Sequence, residues 1–513
     1  MIRTITRRRF LAGAATLASS PALARPLRSS SGKRNVILII SDTMRRDALG
    51  CFGGHWIHTP HLDAFARQAV RLNNAFLCSF PTVCTRHDIL TGRYTFTYKP
   101  WSPLDRDTVT LQDVLRGAGV YTALVVDTPH PFRTDYNYQR NCDHIHINRG
   151  QENDRYETRP LKVKLPCDPH KLRDGTRTVT QYLRNVAGRK VEEDYFCART
   201  MRDAATWLKN NHRRQPFFLY IDTFDPHEPW DPPRSYVEKY DPGYTGENVI
   251  YPRYDHWKDF LSPRELRHCR ALYAGEASMV DRWAGHLLAT IERLNLLENT
   301  LVLFVADHGF YLGEHGYIGK SFIRGNRFQS LPLYSQVCRV PMLAHYPGCR
   351  PGSANDALVQ LVGIAPTILD FLGVKAPASF AAASLWPVLQ GKEAKVADIA
   401  ISSPTLSDRA MKRPQPSNRA SITDGRWLLI YGSAGSGDAN DHTASVDSRQ
   451  RLVAPLTGER LTPELFDLRT DPGCEHNVIE AHRDLARDLH GRFLNFLRHS
   501  PMRKDHVPFF ARI

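Results

Sequence analysis

The sequence predicts an α/β fold: a large, mainly parallel sheet flanked by helices, followed by a smaller C-terminal α+β subdomain. Three observations predict it. Continuous apolar runs of strand length recur through the first two thirds of the chain, as expected of strands buried on both faces of a parallel sheet. Amphipathic helical stretches separate them, which is the alternation of a sheet covered by helices. An acid follows the end of each run, where ligands bind in folds of this kind.

Taken in order, Asn35-Val-Ile-Leu-Ile-Ile40 is the first buried strand and leads to Ser41-Asp42-Thr43. Residues 59–69 form an amphipathic helix with Thr59 as its cap and Pro60 in the first helical position, where a missing N–H costs nothing. Residues 110–118 read as a helix and 121–126 as the second strand, ending at Asp127. Residues 135–195 are polar, with Pro, Asp and Arg scattered through them, and read as an insertion over the sheet edge. Residues 198–210 are helical, and 217–221 form the third strand, leading into Asp222-Thr-Phe-Asp-Pro-His-Glu-Pro229. A long helix over 264–294 precedes the fourth strand, 300–306, which ends on Asp307. A helix from Ile364, stopped by Gly373, closes a large domain of residues 35–375. Beyond it, 422–431 reads as a turn and strand, 432–440 as a loop and 465–468 as a short strand. The Leu/Phe stripe of 483–497 reads as core packing of a subdomain spanning 376–513.

The 513 residues suffice to bury a sizeable core, and 42% hydrophobic with 24% charged residues is ordinary for a soluble protein. The net charge of +15 comes in part from Arg3, Arg7, Arg8 and Arg9; the remaining excess favours anionic substrates or surfaces. No Lys/Arg run carries interleaved aromatics, so no nucleic-acid partner is expected. Thr6-Arg-Arg-Arg-Phe-Leu-Ala12, the weakly apolar stretch after it and Ala22-Leu-Ala24 read as a twin-arginine export signal over 1–24, followed by a polar linker over 25–34. No later apolar run approaches the roughly 18 residues that span a bilayer. No integral membrane segment is expected, and the mature protein is expected to be periplasmic or secreted. The ten cysteines are scattered, without a C-x-x-C pair, so they give no disulfide framework and argue against a zinc-thiolate site.

The chemistry centres on Ser79-Phe-Pro-Thr-Val-Cys-Thr-Arg-His-Asp-Ile-Leu-Thr-Gly-Arg93. A hydroxyl on a turn entering a helix, with an arginine a few residues on, suits a nucleophile, and Thr82 is the expected one. Asp42 and the Asp307-His308 pair lie at strand ends and can turn towards one cation, with Thr82 completing the shell.

Five stretches resemble the sulfatases of the alkaline-phosphatase superfamily, in that family's order: residues 35–53, Leu90-Thr-Gly-Arg93, Asp225-Pro-His-Glu-Pro-Trp230, Asp307-His-Gly309 with Gly313-Glu-His-Gly316 and Lys320, and Glu464-Leu-Phe-Asp-Leu468 with Asp471-Pro-Gly473. The resemblance implies the family's α/β fold, a catalytic domain over 35–375, and Asp42, Thr82, Asp307 and His308 around a divalent metal. It implies that Lys320 and His227 hold the ester anion or assist the leaving group, and that Arg86 steadies the nucleophile turn. A cation and a lysine offset the charge of a transferring sulfuryl or phosphoryl group, and a histidine can move the proton.

The departures from the family pattern are chemical. Sulfatases carry Cys-x-Pro-x-Arg or Ser-x-Pro-x-Arg, whose first residue is oxidised to formylglycine. Here that position is Thr82, which cannot become formylglycine, and Cys84 stands where the proline belongs. A threonine there resembles the nucleophile of the nucleotide pyrophosphatase/phosphodiesterases and the phosphoethanolamine transferases. The latter usually carry membrane-spanning helices, which this chain lacks. Thr43 takes the place of a frequent aspartate ligand, and His308 that of the common asparagine; an imidazole favours Zn or Mn over Ca. Asp127 stands where many sulfatases have a substrate-binding lysine. Asp127, His130 and His315 are therefore expected on the substrate side, and together with Asp225 they are candidates for a second metal site.

The expected activity is metal-dependent hydrolysis of phosphate or sulfate esters of a small molecule, glycan or lipid, with Thr82 as a metal-bound nucleophile and phosphoesters favoured. The alternatives are a sulfuric ester hydrolase working without formylglycine, and a silent relative that binds anionic glycans or lipids.

Overall fold

The computed structural model describes residues 33–325, 327–411, 414, 419–431, 445–446, 452–453 and 462–513. The strands of its main sheet are, along the chain, β1 (Asn35–Ser41), β2 (Val70–Phe76), β3 (Tyr121–Val126), β4 (His144–Ile147), β5 (Phe217–Thr223), β6 (Thr300–Ala306), β7 (Met342–His345) and β8 (Ala354–Gln360). Their spatial order is β8-β2-β7-β6-β1-β5-β3-β4. All run parallel except β7, which is antiparallel to both β2 and β6. Every residue of β1, β5 and β6 is buried, which is why these strands carry unbroken apolar runs.

The flanking helices include α1 (Pro60–Ala66), α2 (Thr82–Thr91), α3 (Leu111–Gly117), α4 (Phe196–Asn211), α5 (Pro263–Arg293) and α6 (Ile364–Leu372). Their starts are set by local chemistry. Thr110 and Asp113 form a reciprocal capping box on α3, and Ser262 and Glu265 do the same on α5. Gly92 and Gly373 end α2 and α6 in the left-handed conformation.

The stretch 135–195 is not wholly an insertion. His144–Ile147 within it is β4, the edge strand beside β3. Its alternating His and Ile, half of them exposed, lack the unbroken apolar signature of a central strand.

The C-terminal part builds an antiparallel sheet from β9 (Ala400–Ser402), β10 (Ser421–Thr423), β11 (Trp427–Ile430) and β12 (Glu464–Asp467). It packs under α7 (Arg483–His499) through Ile422, Leu429, Leu465, Leu489, Phe493 and Leu497. Ala400, Leu428 and Phe466 instead join the core of the large sheet, so the two layers share apolar contacts. The expected export signal and most of the linker, as well as the loop at 432–440, lie outside the described residues. Among those described, no helix is long and apolar enough to cross a membrane.

Candidate active site

Strand adjacency assembles the centre. Ser41 of β1 lies opposite Ala306 of β6, so the next residues, Asp42 and Asp307, emerge side by side. Asp222 of β5 lies opposite Ile40 on the other flank of β1. Thr82 opens α2, and Arg86 follows one turn later on the same helical face.

Arg86 is fully buried and bridges three carboxylates. Its Nε and Nη2 donate to Asp222 at 3.0 and 2.8 Å. Its Nη1 lies 3.0 Å from Asp42 Oδ2, contacts Asp307 Oδ2, and donates to the Thr82 carbonyl at 3.3 Å. The start of α2 is thus tied to the ends of three strands through one planar guanidinium. Asp222 is further held by the hydroxyls of Tyr220 and Thr128, both at 2.6 Å.

Asp42, Asp307 and His308 present ligand atoms that all lie within 4.8 Å of one another, in a fully buried setting. His308 Nδ1 donates to the Gly309 carbonyl at 2.9 Å, which leaves Nε2 as the lone-pair nitrogen facing the group. That Nε2 is 3.3 Å from Thr82 Oγ1, 3.2 Å from Lys320 Nζ and 3.4 Å from Asp307 Oδ2. Thr43 fixes both acids: its hydroxyl donates to Asp42 Oδ1 at 2.6 Å and its N–H to Asp307 Oδ1 at 3.0 Å. It does so at φ 64°, a conformation a β-branched residue rarely adopts. Such a conformation persists only where the surroundings over-determine it.

The electrostatics of the group favour added positive charge. Three buried carboxylates face two cations, Arg86 and Lys320. Burial and the neighbouring Asp307 push Asp42 well above the carboxylate range. For Asp307 burial also acts upward, but Arg86, His308 and Lys320 outweigh it and hold the group low. Burial lowers His308 to about 3, keeping the imidazole neutral, and lowers Lys320 against the pull of Asp42, Glu228 and Asp307. Asp42 Oδ2 is buried and meets Arg86 as an ion pair without an aligned hydrogen bond. Three buried carboxylates against two cations, and a neutral imidazole nitrogen clustered with Asp42 and Asp307, make a donor set that fits a divalent cation.

His227 lies in a neighbouring polar layer. Its Nδ1 donates to the Glu228 carbonyl at 2.6 Å, its ring stacks on Phe224 at 4.0 Å, and burial keeps it neutral. Glu228 accepts from the Tyr254 hydroxyl and pairs with Arg173 at 3.1 Å. Arg173 also reaches Glu152 at 3.2 Å, and Glu152 pairs with His130 Nε2 at 3.0 Å. His130 meets the same Phe224 ring edge-on at 5.6 Å, so it stands one ring away from His227.

The remaining expected residues are placed differently. The Asp127 carboxylate is turned into the fold, accepting from Thr200 Oγ1 at 2.6 Å, Thr223 Oγ1 at 3.1 Å and the Phe224 N–H at 2.6 Å. Asp225 accepts from Gln151 at 2.9 Å and the Cys197 N–H at 3.2 Å. His315 stacks on Tyr334 at 4.0 Å. Among the described residues, Asp127, Asp225, His130 and His315 do not converge into a second metal-binding group, because each is engaged by different neighbours. Sequence reasoning missed Asp222, Thr43 and Glu228 as supports of the site. Strand-end position could have flagged the first, and adjacency to Asp42 and His227 the other two. Arg173 and Glu152 carried no signal.

Residues 34–374 match the family model described as Sulfatase. The chain is 25% identical over 458 residues to an N-acetylglucosamine-6-O-sulfatase of Bacteroides thetaiotaomicron, covering 73% of this chain and 74% of that one. It is 24% identical over 497 residues to an arylsulfatase of Clostridium perfringens, covering 88% and 91% respectively. In three dimensions it resembles the phosphonate monoester hydrolase of Agrobacterium radiobacter, with a TM-score of 0.66 at 20% identity over 91% of this chain and 96% of that one. Its sheet, strand-end acids and matched span together establish that the chain belongs to the sulfatase family of ester hydrolases.

Proposed function

We propose that the chain hydrolyses phosphate or sulfate esters with Thr82 as nucleophile, phosphoesters being favoured. The observation that carries this reading is the position of Thr82 Oγ1, 3.3 Å from His308 Nε2 within the Asp42–Asp307–His308 group. Asp42, Asp307 and His308 would hold a divalent cation, Zn or Mn rather than Ca given the imidazole donor, with Thr82 beside it. When bound, the cation supplies positive charge that offsets the charge of the transferring group.

The chain's own residues do the rest. Arg86 holds the first turn of α2 so that the hydroxyl faces the reacting centre. Lys320, beside His308 and nearly buried, donates to the non-bridging oxygens of the ester. His227 has its Nδ1–H committed to Glu228, so its Nε2 is the lone pair that accepts and returns a proton. His227 takes the Thr82 hydroxyl proton as the Oγ–P bond forms and the ester P–O bond breaks, the departing alkoxide receives that proton, and water then hydrolyses the phospho-threonine to free phosphate and the Thr82 hydroxyl. His130, one ring from His227, contacts the substrate; His315 and Asp127 shape the pocket from further out. The substrate is a small-molecule, glycan or lipid ester met after export through the twin-arginine signal at 1–24.

Full-length chain loaded with Zn or Mn is assayed on aryl phosphate mono- and diesters, an aryl phosphonate monoester and an aryl sulfate. Thr82→Ser keeps measurable turnover and Thr82→Ala loses it, with a phosphoryl adduct on the Thr82 peptide after rapid acid quench of wild type. Unchanged turnover in Thr82→Ala removes Thr82 as nucleophile. The names of the similar sulfatases favour the second reading, sulfate-ester hydrolysis without formylglycine; turnover of the aryl sulfate alone would establish it. Tight anion binding with no turnover of any ester would make the chain a silent binding relative.

A further inference from the structure

A second concave site shares no residue with the group around Thr82. Its cavity, about 600 Å³, is lined by Arg46, Arg71, Arg339, Arg426, Arg469 and the ring of Phe52. Asp356 is the one acid in its wall, and its Oδ1 accepts from Asn73 Nδ2 at 2.6 Å. Arg426 is paired with Asp467 at 2.8 Å. Among the described residues, Arg46, Arg71 and Arg339 have no carboxylate within ion-pair distance.

These three are held in place by neutral groups. Arg71 donates to Asn73 Oδ1 at 3.0 Å and to the Cys51 carbonyl at 2.8 Å. Arg339 donates to the Asn73 carbonyl at 3.1 and 2.8 Å and to Asn74 Oδ1 at 2.7 Å. Arg46 makes one long contact, Nη1 to the Phe52 carbonyl at 3.5 Å, and its Nε is buried without a partner. The Phe52 ring carries Arg46 at 4.8 Å and Arg71 at 6.0 Å, which keeps both cations on one wall. Burial, reinforced by the charges of Arg339 and Arg71 and only partly opposed by Asp47, pulls Arg46 down to about 9.

A cluster serving stability alone would place carboxylates among its arginines, as the Arg86 cluster does. Here neutral groups supply the direct contacts to Arg46, Arg71 and Arg339, and planar guanidinium forks match the oxygens of a tetrahedral anion. We propose that this cavity binds a tetrahedral oxyanion, sulfate or phosphate, either free or carried on a small molecule, with Arg46, Arg71 and Arg339 as its ligands. The site does not depend on Thr82 being the nucleophile.

The test is calorimetric titration of the full-length chain with sodium sulfate, sodium phosphate and glucosamine 6-sulfate at constant ionic strength set by chloride. A site is expected that persists in Lys320→Ala and weakens about tenfold or more in Arg46→Gln and Arg71→Gln, each a loss of one charge-assisted contact. Turnover of an aryl ester is expected to be unchanged in Arg46→Gln. Binding of the inorganic ions identifies a free anion as ligand, and binding of the sugar alone identifies a carried group. Should either variant fail to fold, Arg469→Glu, exposed at the rim, reverses one charge and is expected to weaken the same site. Affinities for all three probes that match wild type in Arg46→Gln, Arg71→Gln and Arg469→Glu would overturn the proposal, as would the absence of any such site in wild type.

Discussion

Arg86→Gln removes the guanidinium that ties helix α2 to three strand ends. In the native chain its guanidinium sits 2.8 Å from Asp222, 3.0 Å from Asp42 and in contact with Asp307, with no solvent exposure at any of the four side chains. Glutamine retains hydrogen-bonding capacity but no charge, so the carboxylates lose their shared counter-ion. Breaking a buried pair by removing one partner costs about 3–5 kcal/mol, a large part of a typical stability of about 5–15 kcal/mol. The structure places this case towards the upper end, because three acids contact the one guanidinium and Lys320 alone remains to offset them. Urea unfolding in the presence of a chelator should show this loss as a lower midpoint with an unchanged slope. Saturating Zn or Mn should shrink the deficit, since the cation then neutralises Asp42 and Asp307 and leaves Asp222 as the main unpaired group. Arg86→Lys should fall between wild type and glutamine, keeping the charge but losing the two-pronged grip on Asp222. A chelated Arg86→Gln protein within about 1 kcal/mol of wild type would refute the idea that Arg86 is the electrostatic keystone.

Two further outcomes are expected elsewhere. Gly309→Ala would set a Cβ 1.9 Å from the Gln336 carbonyl oxygen, so the loop carrying Asp307 and His308 must shift. A cost of about 1–3 kcal/mol is expected, with weaker metal binding in a Zn titration; wild-type metal affinity would show that this backbone approach does not position the ligands. Asp281 is buried, accepts the N–H groups of His61 and Leu62 at 3.2 and 2.7 Å, and is raised to about 7, chiefly by burial, with nearby Asp63 adding to it. A raised folded-state value means that the protonated form carries the stability, which is complete below about pH 4 and lost as pH rises to about 7. Wild type should therefore lose about 1.4 kcal/mol per pH unit relative to Asp281→Asn across that window and run parallel to it above. Parallel curves from pH 4 to 7 would mean that the Asp281 carboxylate is ionised throughout.

Much of the sheet was legible because its central strands are covered on both faces. The apolar runs of β1, β3, β5 and β6 leave little room for another reading, and the caps at Thr110 and Gly373 mark helix ends through local hydrogen bonding. The two flanks of the sheet were not. β2 interleaves Arg71, Asn73 and Asn74 with its apolar residues, and β4 alternates His with Ile, so neither carries the signature of a buried strand. Asp42 and the Asp307-His308 pair were legible from position alone, since a strand end beside a central strand is where such folds bind ligands.

The sequence by itself determined the α/β class and the acids at the strand ends. Those are properties of local pattern and residue identity. The tertiary structure decided which acids meet. It brought Asp42, Asp307 and His308 together, joined Asp222 of β5 to Arg86 of α2, 136 residues away in sequence, and drew Arg173 and Glu152 beside His227 and His130. It also turned Asp127, at the same kind of strand end, inward onto Thr200, Thr223 and the Phe224 N–H. The reason is physical. Composition and periodicity report whether a segment is buried, but a carboxylate's role depends on which cation, donor or imidazole lies within hydrogen-bonding reach, and strand order and side-chain direction set that reach.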